Sequence, residues 1–438
     1  MELKIEKWIY GGEGLGRMAP DDSSRGKAVF VPFVLPGETA EVQITEEKPG
    51  FARAKLETIT HPSPARVEPR CPYFYRCGGC QYQHADYALQ LDWKRDILLE
   101  TLQRTAKLTP EREIELHSGA PYEYRNRTRL KVRTAPEFAI GYHRFGTNEL
   151  LPVTECPISS PLIQRAISAT WAVGAKNSSE GLREIQFFAN HADDKLLVEF
   201  YTDRSADPQS LKPLADALRA EVKEIVGVTV FPWSTAEDDE DRSPTISLKS
   251  AAGFTYGDGA VEYATGHGTF RVSAGSFFQT NRFLVDELVS TALRDVKGRT
   301  ALDLYAGTGL FSVPLSHRFD RLFAVEASRF SYADLQHNAP RNVKPVQATT
   351  ERYLENSGKK SGIDFVLLDP PRSGMGERTA QLLVKTQVPR ITYVSCDPAT
   401  LSRDLRVLSA GGYRLESAHL VDLFPQTFHM ETVVHLVR

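Results

Sequence analysis

Short apolar runs alternate with stretches of helical spacing over the last part of the chain. Runs of this kind lie at 301–305, 321–325, 365–368 and 391–395. Buried strands that alternate with helices are typical of a doubly wound sheet. We therefore predict an α/β, Rossmann-like domain over residues 266–438, with its ligands at the carboxyl ends of the strands.

The pattern at the start of the chain is different. Apolar and polar residues alternate at 27–33, 40–44 and 52–59, and Leu35-Pro36-Gly37-Glu38 is a turn signal. Short alternating strands separated by turns predict a small β-barrel over residues 1–60. The glycines between Gly11 and Gly16 have no βαβ unit around them, so we interpret them as turns of this barrel.

The middle of the chain mixes both patterns. Residues 86–108 are apolar at helical spacing and predict a helix, which is a candidate to pack on the C-terminal domain. From 120 to about 265, predicted strands alternate with two helices, so we assign 61–265 to a central α+β domain. The acidic run at 237–241 is interpreted as a solvated loop.

Charge and hydropathy narrow the class of protein. The 438 residues carry a net charge of −3, so any nucleic-acid contact must come from a local patch. No apolar run reaches the roughly 18 residues that a membrane-spanning helix needs. Charged residues interrupt the N-terminal segment, which is unlike a signal peptide. We expect a cytoplasmic protein without membrane contact, and a monomer as the default.

One segment supplies such a patch. The sequence YRNRTRLKVRT places cations at alternate positions, and alternate residues of a strand share a face. A solvated basic edge strand is the plain alternative. Because the sequence shows no acidic partner for them, we favour contact with phosphates. The predicted RNA-binding residues are Arg125, Arg127, Arg129, Lys131 and Arg133.

Small residues follow the first strand of the C-terminal domain. Ala306-Gly307-Thr308-Gly309 forms a tight turn before a predicted helix, and the next strand ends in Glu326. Glycines let a ligand approach the backbone, and an acidic strand end suits ribose hydroxyls. The chain has no GxxxxGK[ST] phosphate loop. The pattern predicts a nucleoside site that favours S-adenosylmethionine, with NAD left open.

Two further strand ends carry reactive groups. Asp369-Pro370-Pro371-Arg372 follows one strand, and Cys396 follows the next, just before a predicted helix. A helix start favours a thiolate, the reactive form of cysteine, so we interpret Cys396 as a nucleophile and a buried inert thiol as its alternative. Near the C-terminus, Glu431 and His429 are candidate bases.

The other four cysteines are Cys71, Cys77, Cys80 and Cys156. In a cytosolic protein such a group indicates metal binding more often than disulfides. Four thiolates could bind zinc or an iron–sulfur cluster, and the ligand count does not choose between them.

Several longer motifs resemble the RNA uracil-5 methyltransferase family. They are SFFQTN at 276–281, DFVLLDPPRSGM around Asp369, SCDPATLSRDL around Cys396 and FPQTFHMET near the end. The string DLYAGTGLFS resembles the first motif of class I methyltransferases. The resemblance implies a class I methyltransferase that adds a methyl group to C5 of uridine in RNA. Cys396 would be its nucleophile and Glu431 its general base. The implied cofactor contacts are Gln279, Tyr305, Gly307, Gly309, Glu326 and Asp369.

The resemblance also bears on the remaining elements. The cysteine segment is similar to the 4Fe–4S segment of the family's ribosomal RNA enzymes, and the N-terminal barrel resembles a TRAM domain. Together they imply 23S ribosomal RNA as the substrate. A tRNA enzyme with the same chemistry, a non-catalytic iron–sulfur RNA-binding protein and an amine methyltransferase of the Asp-Pro-Pro type are the alternatives. The last lacks support, because Arg372 stands where an aromatic residue would be expected.

Overall fold

A computed structural model of the chain describes residues 1–18, 26–178, 180–232, 254–356 and 362–438. The acidic run at 237–241 lies outside the described residues. The remaining elements form a barrel, a seven-stranded sheet, a hairpin and an eight-stranded sheet. Within these ranges, no helix is long and apolar enough to cross a membrane.

The N-terminal barrel closes in the order β1-β2-β3-β5-β4. Its strands are β1 (Glu2–Trp8), β2 (Glu13–Arg17), β3 (Ala28–Pro32), β4 (Thr39–Glu47) and β5 (Phe51–His61). Alternate apolar side chains fill its centre, which confirms the predicted barrel. The glycine segment is only partly a turn, because Gly14 and Gly16 lie in β2. A Cβ on Gly16 would stand 2.6 Å from the carbonyl oxygen of Lys4, so this position needs glycine.

A helix and a short strand, which follow the barrel in the sequence, pack on the C-terminal domain. Helix α1 (Tyr87–Thr101) begins at Asp86, whose side chain accepts from the backbone N–H of Ala88, and it continues as a π-helical turn to Ala106. Apolar side chains of α1 belong to one core cluster with those of the C-terminal sheet. Strand β6 (Glu115–His117) then adds to the edge of that sheet.

The central domain is a sheet with two helices packed on it. Its strands follow the order β13-β12-β11-β10-β7-β8-β9, and its core lies between the sheet and the helices. The elements are β7 (Arg127–Arg133), β8 (Ala139–His143), β9 (Leu150–Pro152), α2 (Pro161–Asn177), β10 (Leu182–Ala189), β11 (Leu196–Thr202), α3 (Lys212–Glu221), β12 (Ile225–Pro232) and β13 (Phe254–Gly257). A short 3₁₀ turn, Pro208–Leu211, precedes α3.

A hairpin joins this sheet to the C-terminal domain. It consists of β14 (Ala260–Thr265) and β15 (Gly268–Ser273). Tyr263 and Phe270 of the hairpin share a core cluster with the C-terminal sheet. The domain boundary predicted at residue 265 therefore falls inside a hairpin that packs as one piece on the C-terminal domain.

The C-terminal domain is the predicted Rossmann-like sheet, in the order β18-β17-β16-β19-β20-β22-β21-β6. Its elements are α4 (Val285–Ala292), β16 (Gly298–Leu304), α5 (Ser312–Ser316), β17 (Phe319–Glu326), α6 (Arg329–Asn338), β18 (Val343–Gln347), α7 (Thr350–Asn356), β19 (Phe365–Leu368), α8 (Gly376–Thr386), β20 (Arg390–Ser395), α9 (Pro398–Ala410), β21 (Arg414–Val421) and β22 (Glu431–Val437). Strands β16 to β20 are parallel, and β22 runs antiparallel between β20 and β21.

Candidate active site

The carboxyl ends of neighbouring parallel strands bring the predicted site residues to one edge of the sheet. Tyr305 follows β16, Glu326 ends β17, Asp369 follows β19 and Cys396 follows β20. These four strands are hydrogen-bonded neighbours in the order β17-β16-β19-β20. This is the edge at which doubly wound sheets bind their ligands.

The turn after β16 is held by the carboxyl group of Glu326. The backbone N–H of Gly307 donates to Oε2 at 2.8 Å, and the N–H of Ser328 donates to Oε1 at 2.6 Å. Burial nevertheless raises the pKa of Glu326 above its ordinary value. Gly307 has a φ of +56°, and nothing lies within 4 Å of where its Cβ would be. The turn therefore leaves open space beside a fixed acidic group.

Two further carboxyl groups, those of Asp303 and Asp369, lie at this edge. Asp303 is fully buried in β16, and burial raises its pKa to about 7. Burial and the charge of Asp303 raise the pKa of Asp369 to about 7 as well, and Nε2 of Gln279 lies 3.4 Å from Oδ2 of Asp369. Asp303 was not among the predicted site residues. Its signal was an acidic residue in the middle of the apolar run ALDLY.

Cys396 and Glu431 are neighbours although they lie far apart in the sequence. Ser395 of β20 pairs with Thr432 of β22, so the next residues along the two antiparallel strands are Cys396 and Glu431. Glu431 is 3% exposed. Burial and the charge of Asp369 raise its pKa well above its ordinary value. The structure thus places a thiol beside a carboxyl group that holds its proton tightly.

The expected thiolate is not the resting form of Cys396. Burial raises the pKa of this thiol most, and the charges of Glu431 and Asp369 raise it further. Asp397 adds another negative charge and caps α9 by accepting from the N–H groups of Ala399 and Thr400. The positive charge of nearby Arg372 lowers the pKa of the Cys396 thiol. The prediction from the helix start alone was wrong, because the surrounding carboxyl groups and burial outweigh it.

The N-terminal barrel contributes a residue that the sequence did not reveal. The hydroxyl of Tyr10 donates to Oδ2 of Asp397 at 2.8 Å, beside Cys396. Its ring packs edge-on against Phe428, which precedes His429. Nε2 of His429 lies 3.4 Å from Nη2 of Arg372, and burial lowers the pKa of His429 to about 3, so its ring is neutral at pH 7.

The four remaining cysteines line one cavity, together with Gln83 and Arg125. Burial raises the pKa of Cys77 to about 11 and that of Cys80 further. The cavity lies close to the site described above, because the backbone N–H groups of Gln81 and Tyr82 both donate to the carbonyl of Gln426 at 3.0 Å. The cysteine segment therefore holds the loop that leads to Glu431.

The basic stripe is not the free row of cations that we predicted. Strand β7 lies inside the sheet between β10 and β8, so it is not an edge strand. Glu184 of β10 pairs with both Arg129 (3.3 Å) and Lys131. Arg127 stacks on the ring of Phe188 at 4.2 Å.

Of the other two cations in the stripe, Arg125 lines the cysteine cavity and only Arg133 is exposed. The sequence could not show Glu184 as a partner, because strand pairing joins β7 to a strand more than 50 residues away.

Comparison with known proteins identifies the family. The sequence model described as tRNA (Uracil-5-)-methyltransferase matches residues 86–438, and the TRAM domain model matches residues 1–56. The chain belongs to the RNA uracil-5 methyltransferase family. This confirms the resemblance predicted from the motifs and the TRAM character of the barrel.

Two relatives align with almost the whole length of this chain. A 23S rRNA (uracil(1939)-C(5))-methyltransferase RlmD from Pectobacterium atrosepticum is 33% identical over 436 residues, which are 96% of this chain and 90% of that protein. An uncharacterized RNA methyltransferase from Aquifex aeolicus is 31% identical and covers 100% of this chain and 98% of its own length.

Among solved structures, the tRNA (uracil-54, C5)-methyltransferase of Pyrococcus abyssi, in complex with S-adenosyl-L-homocysteine, has the same fold. The two structures superpose with a TM-score of 0.75 and 23% sequence identity, and the likeness covers 100% of both chains.

Proposed function

We propose that this methyltransferase methylates C5 of a uridine in 23S ribosomal RNA, with S-adenosylmethionine as methyl donor, Cys396 as nucleophile and Glu431 as general base. The observation that carries the proposal is the pairing of β20 with β22. It brings a thiol and a buried carboxyl group side by side at the ligand edge of the sheet.

This chemistry needs both groups. Uracil C5 is a poor nucleophile, so the sulfur of Cys396 first forms a bond to C6 and moves an electron pair to C5. C5 then takes the methyl group from S-adenosylmethionine, whose sulfur–methyl bond breaks and which leaves as S-adenosylhomocysteine. Glu431 removes the C5 proton, the C5–C6 double bond re-forms, and the sulfur leaves as thiolate. The positive charge of Arg372 near Cys396 favours the thiolate before attack and after release.

The turn after β16 fits a nucleoside. The carboxyl group of Glu326 would bind the ribose hydroxyls, and the open space at Gly307 would admit the ligand. Tyr305, Gln279 and Asp369 would complete the contacts. Bound S-adenosylmethionine supplies an electrophilic methyl group, and the protein's part is to hold the donor and the uracil at the same sheet edge.

Sequence identity supports 23S RNA over tRNA. The relative that covers most of this chain at 33% identity is named for 23S rRNA, whereas the solved tRNA enzyme is 23% identical and shares the fold. A cytoplasmic location is part of the proposal, because ribosomal RNA is the proposed substrate.

We also propose that Cys71, Cys77, Cys80 and Cys156 ligate a 4Fe–4S cluster. Among the described residues, one group of three candidate metal ligands has all its ligand atoms within 4.8 Å of one another. The four cysteines are not part of that group. Their sulfurs are therefore spread more widely than the roughly 3.8 Å between thiolates of a tetrahedral zinc site. Methyl transfer has no redox step, so the cluster would stabilise the segment that holds Gln426.

The proposal is tested with methyl-labelled S-adenosylmethionine and RNA from cells that lack the enzyme. Anaerobically purified protein is incubated with the RNA, and 23S RNA, 16S RNA and tRNA are then separated and digested to nucleosides. We expect label in 5-methyluridine from 23S RNA, and none with C396A. Label only in tRNA would retain the chemistry and refute the substrate. Methylation by C396A would refute the mechanism.

A further inference from the structure

A second group of candidate ligands lies at the far edge of the eight-stranded sheet. Strand β6 runs parallel to β21, with Glu115 beside His419 and His117 beside Val421. Nε2 of His117 lies 3.4 Å from Nδ1 of His419. Oε2 of Glu115 lies 3.5 Å from that Nδ1 and 3.9 Å from Nε2 of His117. Three possible ligand atoms thus lie within 3.9 Å of one another.

The outer atoms of both rings are already engaged. Nδ1 of His117 lies 2.6 Å from Oε1 of Glu287, on helix α4. An ionised carboxylate only accepts, so in the neutral ring the proton lies on Nδ1 and the lone pair of Nε2 faces the centre. Nε2 of His419 lies 3.2 Å from the hydroxyl of Ser417. When it donates to that hydroxyl, the lone pair of Nδ1 faces the centre too.

Two lone pairs and a carboxylate that converge repel one another unless a cation lies between them. We propose that Glu115, His117 and His419 bind a divalent transition-metal ion, zinc in the first instance. Their separations exceed by at most about 0.5 Å the roughly 3.4 Å between ligand atoms in a tetrahedral zinc site. The carboxylate of Glu287 on the outer nitrogen of His117 is the usual support for a metal-bound histidine.

Among the residues that the structure describes, the group of candidate ligands consists of these three side chains. His435, the next ring, uses Nδ1 with the hydroxyl of Thr392 and Nε2 with the carbonyl of Thr291. Glu115 is 47% exposed, so water can complete the coordination from that side. Arg294 donates to both oxygens of Glu115 at 2.9 and 3.0 Å. The positive charge of Arg294 orients the carboxylate of Glu115 but repels a bound metal ion. Removing this charge should therefore strengthen metal binding.

The site has a structural consequence that does not depend on methyl transfer. Strand β6 pairs with the sheet through only three residues, Glu115 to His117. It lies on the path from helix α1 to the central domain. A metal bound by β6 and β21 would fasten this short edge strand to the C-terminal domain.

The test uses the full-length protein, purified anaerobically with its cysteine centre intact. Zinc is titrated by calorimetry, and the bound zinc is examined by X-ray absorption. We expect one zinc ion per chain with only nitrogen and oxygen neighbours at about 2.0–2.1 Å, whereas cysteine ligation would give sulfur at about 2.3 Å.

Four variants locate the ion. E115Q should weaken zinc binding by at least about tenfold, and E287Q by about 10–100-fold. R294Q should strengthen it. E113Q, an exposed carboxylate two positions from Glu115, should leave it unchanged. Zinc with sulfur neighbours only, or equal affinity in E115Q, R294Q and the unmodified protein, would overturn the proposal and leave a hydrogen-bonded histidine pair in its place.

Discussion

The thiol of Cys396 lies among the carboxyl groups of Asp369, Asp397 and Glu431, and this arrangement decides when it can react. Each negative charge, together with burial, favours the protonated thiol. Glu431 also holds its proton more tightly than an ordinary glutamic acid. At the scale of single residues, the sequence motifs predict which groups take part. They do not predict their protonation, because that depends on burial and on charges from other strands.

A pH dependence follows from these two shifts. The thiol must lose its proton to attack, and Glu431 must be ionised to accept the C5 proton. Both pKa values are raised in the free protein, so the reactive forms grow as pH rises. We predict that the single-turnover rate of methyl transfer increases steadily between about pH 6 and 9.

R372Q tests the origin of this profile. It removes the positive charge that favours the thiolate, so the whole profile should move to higher pH. A flat profile in the unmodified protein, or an unmoved profile in R372Q, would contradict this assignment.

Helix α1 shows what pattern reasoning predicts about an element and what it misses. Apolar spacing predicted the helix, and its Lys94 would ordinarily be exposed. In the structure Lys94 is fully buried, and its Nζ donates to Oδ1 of Asp422 at 2.7 Å and to the carbonyl of Phe424 at 3.1 Å. The helix is therefore fastened by an ion pair to the loop that leads to Glu431. A partner 328 residues away leaves no mark on helical spacing.

Replacing Lys94 should destabilise the protein strongly. K94M leaves the charge of Asp422 buried without its partner, and we predict a loss of about 3–5 kcal/mol in the free energy of unfolding by urea. Lys7 is the matched control, since it pairs with Glu100 at the surface. K7M should cost less than about 1 kcal/mol. Equal losses in the two variants would show that the buried pair has no special role.

At the scale of the whole molecule, parts far apart in the sequence meet around one site. The barrel brings Tyr10 to Asp397, the cysteine segment brings Gln81 to Gln426, and β22 brings Glu431 to Cys396. The sequence predicted the barrel and the Rossmann-like sheet because their strand patterns are local. The sequence could not predict how the barrel and the sheet dock. The prediction for the basic stripe failed for the same reason, because its partner Glu184 comes from another strand.

The contact of Tyr10 should matter for catalysis. Y10F removes a hydrogen bond to Asp397, next to the nucleophile, and leaves the ring packed on Phe428. We predict a turnover about 3–10-fold lower, which corresponds to about 0.7–1.4 kcal/mol. Y75F is the control, because Tyr75 is an exposed tyrosine of the cysteine segment. Unchanged turnover in Y10F would mean that the barrel does not act on the catalytic centre.

The most direct test of the account is to trap the bond between Cys396 and RNA. The amide side chain introduced by E431Q cannot accept the C5 proton, so methylated RNA should remain attached to the enzyme. With S-adenosylmethionine and 23S RNA, E431Q should give a complex that survives denaturing electrophoresis. Mass spectrometry should place a methylated uridine on Cys396, and the C396A/E431Q double variant should form none. No stable complex, or an adduct on another residue, would contradict the central claim.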